Sequence, residues 1–183
     1  SSPSITNCTF TGNLAILFGG AIYNSSSSPT ITNTTFINNS ADSGGAIYNS
    51  SSSPSITNST FNGNSATSAG GAMYNNSTSS AIITNSIFTG NSADRGGAMY
   101  NSSSSSSLSI SNCTFSSNTG RLGGTIHNND ASPTITNCTF ADNHATSTAG
   151  GIYNLGTSSP TITNCAFAGN TAAVIVGAIG NFN

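Results

Sequence analysis

The feature that most limits what this chain can fold into is a unit of 25–27 residues that occurs seven times in 183 residues. Each unit contains an aliphatic residue, a phenylalanine five positions later, and an asparagine three positions after the phenylalanine. A period of this length with strand-sized apolar patches is typical of a solenoid, in which equivalent residues of successive units stack. The phenylalanines that mark the period are Phe10, Phe36, Phe61, Phe88, Phe115, Phe140 and Phe167.

Two asparagines in each unit stand where the chain must turn. Asparagine tolerates the left-handed backbone conformation that tight corners require. Stacking would place equivalent amides above one another, so we expect both sets to form hydrogen-bonded amide ladders. The first-corner asparagines are Asn7, Asn33, Asn58, Asn85, Asn112, Asn137 and Asn164. The second-corner asparagines are Asn13, Asn39, Asn64, Asn91, Asn118, Asn143 and Asn170.

The first unit shows how the strands are expected to lie. Residues 4–6, 8–10 and 20–23 are predicted as three short strands, with Ile5 and Phe10 pointing inward. Helices are disfavoured because paired glycines and β-branched residues fill every unit. Parallel crossovers strongly prefer the right hand. The predicted fold is an all-β, right-handed parallel β-helix in which residues 1–183 form one domain of seven rungs with three short strands per rung.

A Gly-Gly pair precedes the third predicted strand in six units, ending with Gly150-Gly151, and becomes Val176-Gly177 in the seventh. Within that strand a tyrosine follows the aliphatic residue or methionine in five units, and His127 takes its place in another. Alternation along the strand predicts an external aromatic stripe. Stacked rings could simply cover a flat face, or they could provide a strip on which sugars or partner proteins lie. The tyrosines are Tyr23, Tyr48, Tyr74, Tyr100 and Tyr153.

The first and last units are in register with each other. Counting from Ile162 through the last residue and on to Ile5 of a second copy gives 26 residues, which is a normal period. Neither end shows a distinct capping unit, and an uncovered rung recruits further strands. We therefore expect copies to stack head to tail into a filament. The alternative is that these residues are a window of a longer repeat protein.

The cysteines support the same stacking. Cys8, Cys113, Cys138 and Cys165 each follow a first-corner asparagine, so they would form a column of thiols. In a filament, Cys165 would lie next to Cys8 of the following copy. A buried thiol column is the favoured interpretation because side chains in parallel register have poor geometry for a disulfide, and a Cys165–Cys8 bridge between copies is the alternative.

The charge of the chain disfavours several classes of partner. Only two Lys or Arg residues are present and the net charge is −2. Nucleic acids require several basic contacts to phosphate, so we expect no nucleic-acid partner. The longest apolar run, residues 172–179, is far shorter than the about 20 residues of a membrane-spanning helix. This segment is therefore not expected to insert into a membrane.

The few charged residues do not suggest catalysis. The chain has four aspartates and no glutamate, and Asp42 and Asp94 fall in the same loop column two units apart. Asp94 and Arg121 occupy matching positions in neighbouring units, which predicts a surface ion pair of small energy. No spacing typical of a metal site is present. We expect no catalytic residue, metal or cofactor, and a carbohydrate-active β-helix enzyme is the least favoured alternative.

The repeated motifs also resemble those of a known family. Phe10-Thr-Gly-Asn13 with Gly19-Gly-Ala-Ile22 is similar to the paired repeats of the chlamydial-type polymorphic outer-membrane proteins and of related bacterial surface β-helix proteins. The resemblance implies a right-handed β-helix exported to the bacterial cell surface and acting in adhesion. It favours an extracellular structural or adhesive solenoid, as the subunit of a surface filament or a segment of an adhesin stalk, with host or cell-surface glycans as possible partners.

An alternative function comes from threonines on either side of the inward isoleucine of the first strand. Pairs such as Thr30 and Thr32, and Thr134 and Thr136, form a Thr-x-Thr array. Two positions along a strand and one rung across would give a regular lattice of hydroxyls. The array resembles the ice-binding face of insect-type β-helical antifreeze proteins. The residues that interrupt it are Ser4, Ser55, Ile82, Ser109 and Ser111.

Overall fold

In the computed structural model, which describes residues 2–102 and 108–183, the chain is a parallel β-solenoid of seven rungs. Four sheets run along it, numbered here in the order in which each rung visits them. Successive rungs pair in parallel and in register, so that Phe36 aligns with Phe10 on one side and Phe61 on the other. The sequence period is therefore the stacking repeat.

The first two sheets contain seven strands each and meet at the first corner. The first-sheet strands are Ser4–Thr6, Thr30–Thr32, Ser55–Thr57, Ile82–Thr84, Ser109–Ser111, Thr134–Thr136 and Thr161–Thr163. The second-sheet strands are Thr9–Thr11, Thr35–Ile37, Thr60–Asn62, Ile87–Thr89, Thr114–Ser116, Thr139–Ala141 and Ala166–Ala168.

The third sheet shows that the prediction of three strands per rung is wrong. In rungs 2, 3 and 4 the segment between the second corner and the glycine pair consists mainly of Ser, Ala and Asp and lacks the aromatic and aliphatic β-branched residues that favour strands. The segment is extended because its backbone N–H and C=O groups form hydrogen bonds with those of the neighbouring rungs. Its strands are Ser40–Ser43, Ser65–Ala69, Ser92–Arg95, Thr119–Leu122, His144–Thr148 and Thr171–Ala172. Rung 1 joins this sheet through two isolated bridges, Leu14 to Ser40 and Phe18 to Ser43.

The fourth sheet consists of the strands that the sequence predicted as the third strand of each rung. It starts after the glycine pair, and its first residue contributes to the core. Its strands are Ile22–Ser25, Ile47–Ser50, Met73–Asn76, Met99–Ser102, Ile126–Asn129, Ile152–Leu155 and Ile179–Phe182.

In most rungs the described bends are made by residues in the left-handed conformation, whereas neither Val176 nor Gly177 of rung 7 has a positive φ. In rung 2 the four bends have positive φ angles at Asn33 (50°), Asn38 (53°), Gly44 (66°) and Ser51 (48°). Asn and Gly adopt this conformation at less cost than other residues. Four such bends divide the rung into four short strands.

The glycine pair is required by close backbone packing. A Cβ on Gly44 would collide with the carbonyl of Ile47, and a Cβ on Gly45 would collide with backbone oxygens of rung 3. Rung 6 departs from the expected alignment, because Ala149 (φ 58°) takes the first position of the pair. The pair is therefore Ala149-Gly150 rather than Gly150-Gly151.

The core is a narrow column in which like side chains stack. Successive phenylalanine rings are 4.6–5.0 Å apart between centroids. The five rings from Phe36 to Phe140 have no exposed surface, and burying one contributes about 2–3 kcal/mol. Phe10 and Phe167 are only partly buried, since each belongs to a rung that is covered on one side.

Candidate functional site

The second-corner asparagines form a continuous ladder of hydrogen bonds. The Nδ2 of Asn64 donates to Oδ1 of Asn91 at 3.0 Å and to the carbonyl of Phe36 at 3.0 Å. The backbone N–H of Asn64 also donates to Oδ1 of Asn91. The amide–amide bonds are 2.8–3.0 Å long from Asn13 to Asn170, and in each of them the accepting Oδ1 belongs to the following rung. These buried polar groups therefore couple all seven rungs.

The first-corner asparagines behave differently from the prediction. All seven are exposed and have φ angles of 50–56°. Among the residues that the structure describes, no side-chain amide bond joins one of them to the next. The left-handed turn directs each side chain into solvent, so these asparagines shape the corner and do not form the expected ladder.

A third column of asparagines forms a ladder that the sequence reasoning did not predict. The amide–amide bonds are 2.8–2.9 Å long and run in the same direction as those of the second corner. The signal was present in the sequence, since these asparagines recur with the same period two residues after the start of each fourth-sheet strand. They are Asn24, Asn49, Asn75, Asn101, Asn128, Asn154 and Asn181.

The expected external aromatic stripe is mostly covered. The exposed fraction is only 6% for Tyr48, 5% for Tyr100 and 9% for Tyr153. The Arg95 guanidinium lies over the Tyr100 ring at 5.4 Å, and the Phe18 ring is 4.5 Å from that of Tyr48. The rings stack on one another beneath such neighbours. This column therefore does not provide an open strip for a sugar ring.

His127 occupies the same aromatic column with almost no solvent contact. Its ring centroid is 4.9 Å from that of Tyr100 and 4.7 Å from that of Tyr153. Within the described residues, neither ring nitrogen has a hydrogen bond of standard geometry. Burial, assisted by the positive charge of Arg95, lowers the pKa of His127 to about 4. The imidazole is therefore neutral at physiological pH.

The aromatic column continues into rung 7 through a residue that the sequence reasoning missed. Gly180 stands where the other rungs carry tyrosine or, in rung 5, histidine, and it pairs with Tyr153. The ring of Phe182, two residues later, folds back over Gly180 and stacks on Tyr153 at 4.8 Å. A glycine in the tyrosine position thus leaves space for an aromatic ring from the next position on the same face.

The position after the first corner forms a column of hydroxyl and thiol groups. Ser59 donates its hydroxyl to the carbonyl of Thr57 at 3.0 Å, and its backbone N–H donates to Oγ of Ser86 at 3.1 Å. Cys113 repeats this arrangement, since its thiol donates to the carbonyl of Ser111 and its N–H donates to Sγ of Cys138. The cysteines in this column therefore replace serine as hydrogen-bonding groups.

The four cysteines are free thiols in the structure. Cys113 and Cys138 are buried, whereas Cys8 is exposed and Cys165 is partly exposed. The neighbouring Cys138 thiol and burial raise the pKa of Cys113, which keeps that sulfur protonated. Cys8 and Cys165 lie in rungs 1 and 7, so they do not meet within one chain.

The charged residues form the surface pair that the sequence predicted. Arg121 donates through Nε to Oδ1 of Asp94 at 2.7 Å and through a second nitrogen to Oδ2 at 3.2 Å. This bond from Arg121 lowers the pKa of the Asp94 carboxyl. Asp42 accepts a hydrogen bond from Thr67, which stands one rung nearer to Asp94. Contact with solvent keeps the energy of such pairs small.

In residues 2–102 and 108–183, no group of three or more His, Cys, Asp or Glu side chains is arranged to hold a metal ion. The same residues contain no helix with the length and apolar character needed to cross a membrane.

Comparison with known proteins identifies the fold family. A family model described as a right-handed β-helix region matches residues 1–115 and 74–181. Neither curated proteins nor solved structures show a match to this chain. The family match agrees with the four parallel sheets and with the predicted right hand, while the resemblance to chlamydial-type repeats stays a prediction. Because the two matched segments together cover nearly all of the sequence, the chain belongs to the right-handed β-helix family.

Proposed function

We propose that this chain is an extracellular structural or adhesive solenoid, either the repeating subunit of a surface filament or a segment of a long adhesin stalk. The observation that carries the proposal is the pair of amide ladders that run through all seven rungs. Together with the phenylalanine column, they connect every rung to its neighbours by side-chain as well as backbone contacts. Such continuity suits a stiff rod that resists local opening and proteolysis.

The outer surface suits contact with other polar surfaces outside the cell. The exposed first-corner amides and the outward threonines provide hydrogen-bonding groups, while only 3% of residues are charged. Host or cell-surface glycans are the partner class that such groups would bind, because amides and hydroxyls can donate to and accept from sugar hydroxyls. The exposed corner columns, rather than the covered tyrosines, would make this contact.

The bacterial cell surface is the location that we propose. The motif resemblance supports it, and the near absence of charge is compatible with a long-lived external structure. The role is not catalytic in this proposal, since the nearest aspartates in one column are two rungs apart. Hydrolysis or cleavage of a panel of acidic and neutral polysaccharides by the purified chain would contradict that part.

The location can be tested by immunogold labelling of intact cells of the source organism with antibodies raised against residues 1–183. We expect labelling of intact cells, on rods or filaments that extend from the surface, and its loss after brief surface proteolysis at a concentration that cleaves exposed control proteins. Labelling that requires permeabilised cells would contradict the proposal.

An ice-binding function is the second candidate, and one observation favours it. Thr6, Thr32, Thr57 and Thr84 stack in register on successive rungs. The array is broken in rung 4, where Ile82 is 53% exposed and stands in the neighbouring column. Thermal hysteresis and ice-crystal shape in the presence of the purified chain separate this function from the structural one. Unchanged ice growth at high protein concentration would eliminate it.

A further inference from the structure

The first-corner asparagines differ from those of the second corner in the residue that stands two positions later. In five of the seven units this residue is threonine, so the corner carries the Asn-x-Thr sequence in which an asparagine nitrogen can accept a sugar. After every second-corner asparagine the same position is alanine or glycine. The first-corner sequences begin at Asn7, Asn33, Asn58, Asn112 and Asn137.

The structure leaves the side-chain amides of these asparagines accessible. They are exposed, and their left-handed backbone conformation directs the side chains away from the core. Among the residues that the structure describes, none of these side-chain amides forms a hydrogen bond. Four of the five lie in rungs 2, 3, 5 and 6, which have a neighbouring rung on each side, so their exposure is a property of the corner. A transferase can therefore reach Nδ2 without breaking a bond of the solenoid.

The threonine of each sequence faces solvent at the same corner. Thr35 begins a strand of the second sheet and points outward, because Phe36 after it points into the core. The residue between the asparagine and the threonine turns inward, as Thr34 donates its hydroxyl to the carbonyl of Thr32. No hydrogen bond within the described part of the chain engages the outward hydroxyls of Thr35, Thr60, Thr114 and Thr139. Amide and hydroxyl are thus both free on the outside of one corner.

The other Asn-x-Ser and Asn-x-Thr sequences of the chain lack one of these two free groups. Asn76 donates its side-chain amide to the hydroxyl of Tyr48 at 3.0 Å. The sequence that begins at Asn38 ends at Ser40, whose hydroxyl accepts a hydrogen bond from Ser65. The remaining four asparagines are buried in the third-column ladder and donate to the next rung, and they are Asn24, Asn49, Asn75 and Asn101.

Rung 4 has the same corner without the threonine. Asn85 is exposed and left-handed like its equivalents, but the residue two positions later is Ile87. Ile87 aligns with Thr60 of rung 3 and Thr114 of rung 5, and it is 46% exposed. The chain therefore contains an accessible asparagine that differs from its neighbours mainly in the missing hydroxyl.

We propose that the first corner is a glycosylation site, in which Asn33, Asn58, Asn112 and Asn137 each carry a sugar linked through Nδ2. Asn7 of rung 1 has the same sequence and is expected to follow them. The donor is a sugar diphosphate, carried either by a nucleotide or by a lipid. The proposal does not depend on the cellular role inferred above, since these sugars belong to the chain itself and not to a partner surface.

The transfer is a substitution at the anomeric carbon of the sugar. The asparagine Nδ2 forms a bond to this carbon, and the bond from the carbon to a diphosphate oxygen breaks. The diphosphate leaves with the bonding electrons, and one amide proton passes to a basic group of the transferase. Nothing is oxidised or reduced. The threonine hydroxyl is the neighbouring group that the transferase recognises, because it can both donate and accept a hydrogen bond.

The proposed sugars would give the chain a hydrated surface that its own side chains supply only weakly. Only 3% of residues are charged, and net charge is a common means of keeping a protein soluble. Sugars on asparagine are bulky and solubilising. Acceptors on neighbouring rungs lie about 4.8 Å apart. The sugars would therefore cover the corner in two continuous patches, on rungs 2 and 3 and on rungs 5 and 6, with rung 4 between them.

The first experiment is peptide mapping of the chain purified from its source organism, by mass spectrometry with fragmentation that retains attached sugars. We expect sugars at the four proposed asparagines and none at Asn85 or at the ladder residue Asn91. The mass of the attached group distinguishes a single sugar from a nucleotide donor from a preassembled oligosaccharide from a lipid donor. Unmodified first-corner asparagines, or sugars on Asn85 or Asn91, overturn the proposal.

The second experiment treats the folded, unmodified chain with a soluble transferase specific for Asn-x-Ser/Thr and with UDP-glucose. The variant Thr35→Val should lower modification of Asn33 by about tenfold or more, because the enzyme loses the hydroxyl that it recognises. Modification of Asn58 in the same molecule should not change. The reverse variant, Ile87→Thr, should make Asn85 an acceptor. Failure of either change overturns the role of the exposed pair of groups.

Asn49 reports whether the chain stays folded during this treatment, since its Asn-x-Ser sequence is accessible only when the ladder opens. We expect no sugar on Asn49 in the unmodified chain or in either variant, and the same circular dichroism spectrum for all three. Modification of Asn49 to the same extent as Asn58 would contradict selection by the folded corner. An unmodified native chain that labels on intact cells leaves the structural role standing, and a glycosylated chain found only inside cells leaves the glycosylation site standing.

Discussion

The two corner asparagine columns have the same residue type and the same period, yet the structure uses them in different ways. Asn85 at the first corner of rung 4 is exposed and has a φ of 51°. Asn91 at the second corner of the same rung is fully buried and bonded to both neighbouring rungs. One is present for its backbone conformation and the other for its amide.

This difference shows that the residue with the left-handed conformation at a bend and the residue whose side chain links the rungs occupy different positions. At the second corner the left-handed residue is the one before the ladder asparagine, as Gly90 (φ 63°) precedes Asn91. The chain has then already turned when it reaches Asn91, whose side chain points inward. At the first corner Asn85 is itself the turning residue, so its side chain points outward.

The largest effect is expected from Asn91→Ala. The change removes the amide that donates to Phe61 and Asn118 and that accepts from Asn64. Several buried groups would lose their partners, and the free energy of unfolding should fall by about 3–5 kcal/mol. Denaturant unfolding of the variant measures this loss.

Asn85→Ala is the control for Asn91→Ala, since it removes the same atoms from the exposed corner of the same rung. A loss from Asn85→Ala equal to that from Asn91→Ala would show that the two columns do not differ in the way described above.

A second contrast between a buried and an exposed copy of one residue type is provided by the two histidines. His127 has a folded-state pKa of about 4, below the value near 6.5 that it would have when unfolded. Between these values the unfolded chain binds more protons, so stability should decrease as the pH falls from about 6.5 to about 4, by roughly 3 kcal/mol in total. In His127→Phe this contribution to the pH dependence should disappear, which unfolding at pH 7 and pH 4 would show.

His144 is exposed and bonds to the hydroxyl of Thr171. The variant His144→Asn should therefore retain the loss of stability in acid that His127 causes. An unchanged acid sensitivity in His127→Phe would contradict the assignment.

The glycine-pair position allows the same test of backbone conformation at a buried bend. The variant Gly123→Ala should lower the free energy of unfolding by about 1–2 kcal/mol. Gly123 has a φ of 67°, at which alanine is strained, and the added Cβ would meet the carbonyl of Ile126. The reverse change, Ala149→Gly, should raise stability by a smaller amount. Thermal unfolding of both variants measures the two changes in stability. Two changes of the same sign would be inconsistent with this explanation.

The smallest effect is expected at the exposed corner. Asn85→Gly retains a residue that tolerates positive φ, and the stability should change by less than about 0.5 kcal/mol. Asn85→Ala should cost about 1 kcal/mol, since alanine disfavours this conformation. A large loss from the glycine variant in thermal unfolding would indicate that the exposed amide has a stabilising contact after all.

The stacked architecture was predictable because its evidence is periodic. The phenylalanine column from Phe10 to Phe167 and the isoleucine column from Ile5 to Ile162 identify which residues touch, whatever the path of the chain between them. The fourth strand per rung was not predictable from local preference, since Ser40–Ser43 and its equivalents have few strand-forming residues. Their conformation depends on backbone bonds to neighbouring rungs.

The candidate contact surfaces were only partly predictable. The periodic asparagines were visible in the sequence, but the direction of the two amide ladders required the donor and acceptor of each amide bond. The tyrosines alternate outward as predicted, yet Arg95 and other neighbours cover most of them, and only Tyr23 is more than half exposed among those described. Alternation gives the face of a strand on which a residue lies, whereas exposure depends on what packs over that face.

By itself the sequence determined the period, the identity of the stacked columns and the class of fold, because equivalent residues in a solenoid must meet whenever the unit is repeated. Only the tertiary structure decided which asparagines face inward, where the chain forms its fourth strand, and how Phe182 replaces the missing tyrosine ring of rung 7. Those outcomes depend on the φ angle at each bend and on the space left by neighbouring rungs. Neither quantity is a property of one residue or of its spacing.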